Sequence, residues 1–251
     1  MGNQYKRNIL YQYVTKFTQE QVDDLNSTIK TTEKALQWVS DNLHPKVAKA
    51  SSFGAEDAVV MDIMLKINPN FRFFTLGTGR LPQETYDIME IVEKKYNISV
   101  EVLLPDTKEV EEMVKEKGMN LFYESVDNRK LCCEIRKVHP MNKMLNTLDG
   151  WITGLRRDQT KNREDVTMFQ LDHGHGEILK INPIVDWTWD QIQEYIKKNN
   201  LPYNSLLDKG FTSIGCEPCT RAIKPGEDLR AGRWWWEQDG NKECGLHIDH
   251  K

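Results

Sequence analysis

The chain has 251 residues, of which 39% are hydrophobic and 29% are charged, a composition typical of one globular domain with additions. Its formal net charge of −4 argues against nucleic acid and anionic membranes as partners, so an anionic ligand would need a local basic cluster. No apolar run approaches the ~20 residues of a membrane span, and residues 1–14 lack the apolar block of a signal peptide, so we expect a cytoplasmic protein.

The spacing of apolar residues predicts helices in residues 1–43 and then a regular alternation of strands and helices. Strands are predicted at residues 46–50, 71–76, 98–104 and 150–155, and helices at 55–67, 83–96, 107–118, 129–148 and 188–200. Pro140 should bend or break the fourth of these helices. The alternation is typical of an α/β fold with a parallel sheet and helices on both faces. Ligands of such sheets lie beyond the carboxyl ends of the strands.

Three loops follow predicted strands. SSFGAED (51–57) offers backbone N–H groups and a helix N-terminus to an anion, whereas GTGRLP (77–82) lacks the third glycine of a dinucleotide fingerprint. The loop RRDQTKNR (156–163) carries four basic residues, and Arg230 and Arg233 come just before three consecutive tryptophans. Arginine at strand ends commonly binds phosphate or sulfate, although solvated surface charge accounts for the same residues. For the tryptophans we favour packing over stacking on a ligand.

Four of the five cysteines form two tight pairs, Cys132 with Cys133 and Cys216 with Cys219. A reducing cytoplasm and an odd number of cysteines both argue against a disulfide framework. Adjacent cysteines reach one small zinc ion poorly, whereas a 4Fe–4S cluster offers a separate iron to each diverging thiolate. The pattern therefore favours the cluster, while zinc and chance burial of the cysteines stay open.

Cys244 lies outside both pairs, beside Gly245 and close to His247. A nucleophile on a mobile tail and an idle surface thiol account for it equally well. His247 is close enough in sequence to tune the thiol, although a lone histidine is more often simply solvated.

Taken together, these segments resemble the assimilatory adenylylsulfate (APS) and phosphoadenylylsulfate (PAPS) reductases from about residue 48 to residue 247. The resemblance rests on SSFGAED, TGRLPQETY, CCEIRKVHP, TGLRRDQ, PYNSLLDKGFTSIGCEPCTR, GRWWWE and KECGLH. It implies a PP-loop adenine nucleotide α-hydrolase-like fold, with a C-terminal cluster-binding segment and a catalytic tail. It also implies thioredoxin-dependent (or glutaredoxin-dependent) reduction of APS to sulfite and AMP through an enzyme S-sulfocysteine. The expected division is a helical extension (1–43), a reductase domain (44–236) and a mobile tail (237–251).

The resemblance also implies roles for individual residues. Cys244 matches the catalytic cysteine, Lys137 the lysine that links cluster and substrate, and His247 lies in the same tail motif. The 4Fe–4S ligands would be Cys132, Cys133, Cys216 and Cys219. Residues expected to bind the substrate are Ser51, Ser52, Gly54, Thr78, Gly79, Arg80, Gly154, Arg156, Arg157, Arg163, Arg230 and Arg233. One position departs from the family, which usually has Asp where this chain has Gly77.

Other functions are weighed against this one. The chain could act on PAPS, or on both nucleotides, or be an iron–sulfur redox sensor without catalysis. A PP-loop ATP pyrophosphatase would need an SGGxDS-type loop, which SSFGAED is not. We expect no nucleic-acid or membrane partner, and the sequence leaves open whether the protein is a homo-oligomer.

Overall fold

The computed structural model describes residues 17–159 and 163–237. Its strands are β1 (Val47–Ala50), β2 (Arg72–Leu76), β3 (Glu101–Leu103), β4 (Gly150–Ile152), β5 (Phe169–Asp172) and β6 (Ile178–Ile181). Its α-helices are α1 (Gln19–Thr28), α2 (Thr32–Asn42), α3 (Ala55–Ile67), α4 (Gln83–Tyr96), α5 (Thr107–Lys117), α6 (Val126–Cys133), α7 (His139–Leu145) and α8 (Trp189–Asn199).

The six strands form one sheet in the order β3-β2-β1-β4-β6-β5. Every pairing is parallel except that of β5 with β6, so the predicted parallel sheet with helical crossovers is confirmed. The sequence did not predict β5 and β6, which lie where the alternation of elements weakens. The strands predicted at 98–104 and 150–155 are shorter in the structure, where β3 and β4 have three residues each.

Helices cover both faces of the sheet because successive side chains of each strand point to opposite faces. Phe73 packs in the core with α2 and α3, whereas its neighbour Phe74 packs on the other face with Met141 and Leu145 of α7. Each such side chain that is fully buried contributes about 1.5–3 kcal/mol relative to an exposed one. Of the helical extension predicted for residues 1–43, residues 1–16 lie outside the described residues. The rest includes α1 and α2, whose buried side chains belong to the same core as the sheet.

The predicted helix 129–148 is a composite. It begins at Val126, where the Ser125 hydroxyl caps the backbone N–H of Asn128 at 3.1 Å. A π-helical turn, Glu134–Val138, then joins α6 to α7. Pro140 occupies the first turn of α7, where its missing N–H is tolerated, so the helical path widens before the proline instead of breaking at it.

Among residues 17–159 and 163–237, the structure contains no helix whose length and apolar character would suit a membrane crossing.

Candidate active site

A cleft of about 510 Å³ opens at the carboxyl ends of β1, β2 and β4. This is where ligands of open α/β sheets bind, and the volume suits a nucleotide-sized molecule. Nine of the twelve residues expected to bind substrate line it: Ser51, Ser52, Gly54, Thr78, Gly154, Arg156, Arg163, Arg230 and Arg233. The other three, Gly79, Arg80 and Arg157, do not.

The loop after β1 is organised by a buried carboxylate. Asp57 on α3 forms an ion pair with Lys49 of β1, and both side chains are less than a tenth exposed. The same carboxylate accepts hydrogen bonds from the backbone N–H of Ser52 at 2.6 Å and the Ser52 hydroxyl at 2.9 Å, and a longer one of 3.4 Å from the Gly54 N–H. Two of the backbone donors expected to meet an anion are therefore already engaged by Asp57.

Gly154 marks a close approach between the loop after β4 and the start of α3. A Cβ at this residue would lie 3.1 Å from the Asp57 carboxylate and 3.1 Å from the Glu56 Cβ, which is tighter than most real contacts. A side chain here would push the two loops apart and widen the floor of the cleft.

The arginines after β4 divide into two groups. Arg156 is buried, donates to Glu56 at 3.0 and 3.1 Å and pairs with Asp158, so part of its charge is already balanced. Arg163 also lines the cleft. The Arg157 side chain does not line the cleft, because it pairs with Asp186 and donates to the Val166 carbonyl at 2.7 Å.

A second, smaller cavity is lined by all four paired cysteines, Cys132, Cys133, Cys216 and Cys219. Its other polar lining residues are Arg80, Arg129, Arg136 and Lys137, so the thiols lie among positive charges. The free volume is about 10 Å³, room for roughly one water molecule. Within the two described stretches, no three His, Cys, Asp or Glu side chains form a group able to hold a single metal ion.

Burial and positive charge act on these thiols in opposite directions. Burial raises the pKa of Cys132 and, with the neighbouring Cys216, raises the pKa of Cys219 to about 12. Burial would also raise the pKa of Cys216, but the Lys137 ammonium and a 3.3 Å contact with the Thr78 hydroxyl bring it below its usual value. Positive charge therefore outweighs burial at Cys216 but not at Cys132 or Cys219, which favours a thiolate at Cys216.

Two buried N–H donors that line the cysteine cavity, Arg136 Nε and Trp234 Nε1, have no hydrogen-bond partner among the described residues. Buried donors are rarely left unpaired, and an anionic group with sulfur atoms facing them would satisfy them. Four thiols surrounded by cationic and N–H donors therefore fit a thiolate-bound iron–sulfur cluster, which Cys132, Cys133, Cys216 and Cys219 would hold.

Lys137 is common to the linings of the cleft and the cysteine cavity. It lies in the π-helical turn directly after the Cys132–Cys133 pair, and the wider turn shifts the direction of side chains relative to a continuous α-helix. π-Helical turns are frequent at functional sites, and the sequence pattern gave no sign of this one.

The loop after β2 also connects the two cavities. Thr78 lines the cleft and contacts Cys216, and its carbonyl accepts a 2.8 Å hydrogen bond from Arg136. Gly79, the next residue, has φ of +72°, a conformation that favours glycine. Arg80 lies at the cysteine cavity, where it donates to the Met119 carbonyl at 2.8 Å and its guanidinium is 5.0 Å from the Phe122 ring centroid.

Gly77, where the resemblance leads us to expect Asp, has no positive φ. A Cβ at this residue would lie 2.6 Å from Val102 Cγ1 and 2.8 Å from Leu104 Cδ2. The side chains of Val102, in the edge strand β3, and of Leu104, just after it, therefore occupy the space that a larger residue would need.

Trp234 is 1% exposed and packs between the guanidinium groups of Arg129 and Arg233, which confirms the predicted packing for this tryptophan. Cys244 and His247 lie outside the described residues, as does the predicted tail 237–251 apart from Glu237. Sequence reasoning did not single out Lys49, although a lysine inside a predicted buried strand is a usable signal.

Comparisons with known proteins agree with these features. The model of the phosphoadenosine phosphosulfate reductase domain matches residues 46–222. An adenosine 5′-phosphosulfate reductase of Burkholderia cepacia is 46% identical over 205 residues, covering 82% of this chain and 82% of that protein. One from Allochromatium vinosum is 43% identical over 198 residues, covering 79% of this chain and 77% of that protein.

Solved structures confirm the predicted PP-loop-type α/β fold. A phosphoadenylyl-sulfate reductase from Candida auris, crystallised as a phosphate complex, superposes with a TM-score of 0.71 at 27% identity over 82% of this chain and 98% of that one. An FMN adenylyltransferase from Candida glabrata reaches a TM-score of 0.52 at 12% identity, covering 86% of this chain and 78% of that one, a similarity of fold alone.

Proposed function

The chain belongs to the phosphoadenosine phosphosulfate reductase domain family, and on this basis we propose that it reduces APS to sulfite and AMP with a thioredoxin (or glutaredoxin) dithiol. Its role would be in assimilatory sulfate reduction, which supplies sulfide for cysteine biosynthesis. The observation that carries the proposal is the meeting of an arginine-lined cleft and a four-cysteine cavity at Lys137. None of the four cysteines in the described residues forms a disulfide, which suits the reducing cytoplasm, the location we propose.

The four cysteines would hold a 4Fe–4S cluster, one thiolate to each iron. Support comes from the shared cavity and from two N–H donors that line it, Arg136 Nε and Trp234 Nε1, which have no partner among the described residues. When bound, the cluster would supply local negative charge and hold the two cysteine segments together, with no electron transfer required of it.

Cationic side chains give the cleft a positive charge, which favours binding of a doubly anionic phosphosulfate. Arg163, Arg230 and Arg233 line it from two different loops, and Lys137 approaches from the cysteine side. In a partly buried site their charges offset the repulsion between an attacking thiolate and an anionic substrate. Arg156 contributes less charge, because Glu56 and Asp158 already pair with it.

Cys244 would act as the nucleophile, on the catalytic tail proposed for residues 237–251. Its thiolate attacks the sulfate sulfur of APS, an S–S bond forms, and AMP leaves with the electron pair of the broken S–O bond. The positive charge of the cleft stabilises the departing phosphate. The product is an S-sulfocysteine at residue 244.

The dithiol then completes the reduction. A thioredoxin thiolate attacks the Cys244 sulfur, sulfite leaves with the electron pair of the S–S bond, and a mixed disulfide forms. The second thioredoxin thiolate, its proton lost to solvent, attacks the thioredoxin sulfur of this disulfide and releases the Cys244 thiolate. Thioredoxin is oxidised by two electrons, which are the two that convert the sulfate group to sulfite.

An anaerobic assay with APS or PAPS, with and without reduced thioredoxin, tests the proposal. We expect sulfite and AMP in equal amounts from APS only when thioredoxin is present. Without thioredoxin, mass spectrometry should find one added SO₃ group on the peptide that contains Cys244, and Cys244→Ser should form neither adduct nor sulfite. Turnover of PAPS alone, an adduct on another cysteine, or near-normal sulfite formation by Cys244→Ser would contradict it.

A further inference from the structure

Gly215, directly before Cys216, lies against the guanidinium group of Arg233. A Cβ at residue 215 would come within 2.4 Å of Arg233 Nη1 and within 2.6 Å of both Cζ and Nη2. Three atoms of one planar group at nearly equal distances show that the guanidinium lies flat over the Gly215 backbone. The guanidinium therefore occupies the space that a side chain at residue 215 would need.

The far end of an arginine usually yields to a new neighbour, but Arg233 has little room to do so. It is 5% exposed, and its Cζ lies 4.9 Å from the centroid of the buried Trp234 ring, so a second neighbour limits where the guanidinium can move. Its backbone is fixed as well, because Arg233 forms an antiparallel bridge with Thr220 and the Trp234 N–H donates to the Cys219 carbonyl at 3.1 Å.

Arg233 lines the substrate cleft and has a buried Nε that no described residue accepts. A buried donor without a partner indicates that a ligand binds there, and the positive charge of the guanidinium favours an anionic ligand. Gly215 thus connects the segment that carries Cys216 and Cys219 to a binding group of the cleft.

We propose that Gly215 is a positioning residue for substrate binding, which holds the Arg233 guanidinium flat against its backbone so that it faces the anionic phosphosulfate. The inference rests on the proposed function for the identity of this anion. Alanine at residue 215 would displace the guanidinium, and a displacement of about 1 Å is enough to spoil a bidentate contact.

The test measures APS binding to the anaerobic, iron-loaded protein in a Cys244→Ser background, where the nucleotide is not consumed. We expect Gly215→Ala to weaken APS binding about tenfold, as Arg233→Ala does, and the two changes together to weaken it no further than either alone. Iron content should stay at the wild-type level in all three. Gly174→Ala is the matched control, since its Cβ would meet only Asp172 Oδ1, at an ordinary 3.5 Å.

If the effects of Gly215→Ala and Arg233→Ala on APS affinity are not additive, Gly215 acts through Arg233 and not through a general structural role. If Gly215→Ala binds APS as well as the parent, or if its effect multiplies with that of Arg233→Ala, the proposal is wrong. If the Gly215→Ala protein does not retain iron, the test is repeated in a double variant that also carries Arg233→Lys, because lysine has a slimmer side chain. Recovery of iron in that double variant supports crowding by the guanidinium, and continued loss assigns Gly215 to the cysteine turn instead. Parent protein that fails to bind APS at all contradicts the proposed function itself.

Discussion

The Arg129 guanidinium holds the Glu237 carboxylate through two parallel hydrogen bonds, of 2.8 Å from Nε and 2.9 Å from Nη2. Both side chains are less than a tenth exposed, and the guanidinium also packs on the Trp234 ring, 4.4 Å from its centroid. Arg129 lies one helical turn before Cys132 and Cys133, and Glu237 is seven residues before Cys244. The pair therefore fixes the last described residue of the chain to the helix that carries the first cysteine pair.

Glu237→Gln should destabilise the protein by about 3–5 kcal/mol, because it removes the carboxylate that pairs with the buried Arg129 guanidinium. Anaerobic urea unfolding of the iron-loaded protein measures the change. Glu227→Gln is the matched control, since Glu227 also makes a two-point ion pair, with Arg221, but both partners are about a third exposed. Solvent screens an exposed pair, so Glu227→Gln should change the free energy of unfolding far less than Glu237→Gln. Equal losses in the two variants would show that burial of the Arg129 pair has no energetic consequence.

Anaerobically purified protein should be brown and contain about four iron and four sulfide per chain. Cys219→Ser should lose most of the iron, and activity with it, because a serine hydroxyl is a far poorer ligand than a thiolate. Cys244→Ser, whose cysteine lies outside both pairs, should retain the iron. Measuring iron, sulfide and zinc in the same preparation distinguishes a 4Fe–4S cluster from a zinc site. Stoichiometric zinc without sulfide would refute the cluster and leave the tetrahedral zinc alternative.

Most of the fold could be predicted because its helices and strands have clear apolar periodicity and caps. α3 and α4 begin and end at the residues expected from the sequence. β5 and β6 were missed because four-residue strands in a segment rich in Gly and His carry too little pattern to distinguish them from loop. The π-helical turn depends on how α6 and α7 pack, which local sequence does not encode.

The site was only partly predictable, because side-chain direction depends on tertiary contacts. Arg156 and Arg157 are adjacent and chemically identical, yet one lines the cleft while the other is drawn to Asp186. The loop SSFGAED was expected to offer its N–H groups to an anion, and Asp57 from the same loop takes two of them. Sequence spacing could locate the loops but could not tell which donors remain for a ligand.

Ionisation of Asp172 should make the free energy of unfolding depend on pH in the acid range. It is 4% exposed and accepts from Trp151 Nε1 at 2.7 Å and contacts His175 Nδ1 at 2.7 Å. Burial opposes its ionisation, but these partners hold the Asp172 pKa below its ordinary value. A depressed carboxyl pKa contributes stability that is complete above the unfolded-state value of about 3.9 and is lost as pH falls through the folded-state value.

Asp172→Asn should therefore lower the free energy of unfolding by about 1–3 kcal/mol at pH 7 and flatten its decline below about pH 4. Urea unfolding between pH 7 and pH 3 measures both effects, with the exposed Asp165→Asn as the control that should follow the wild type. A variant whose stability falls with acid as steeply as that of the wild type would show that other groups carry the dependence.

Gly77→Asp, which introduces the residue that the resemblance leads us to expect, should destabilise the protein by about 1–3 kcal/mol. Its Cβ would come within 2.6 Å of Val102 Cγ1 and 2.8 Å of Leu104 Cδ2, while the backbone stays bonded to β3 through a 2.9 Å hydrogen bond from Gly77 N–H to the Leu103 carbonyl. The backbone conformation itself is not the obstacle, because φ at Gly77 is not positive. Crowding by the edge strand is therefore the physical reason for the loss.

Removing that crowding should recover the stability. Val102 is 42% exposed and Leu104 69% exposed, so trimming both to alanine costs little by itself and provides the matched background. In Val102→Ala/Leu104→Ala protein, Gly77→Asp should change the free energy of unfolding by less than about 0.5 kcal/mol. APS affinity measured in the same two backgrounds then reports what the carboxylate does for the nucleotide once it fits. A loss of stability that is equally large in the trimmed background would refute the steric explanation, and unchanged affinity there would show that the glycine is neutral for binding.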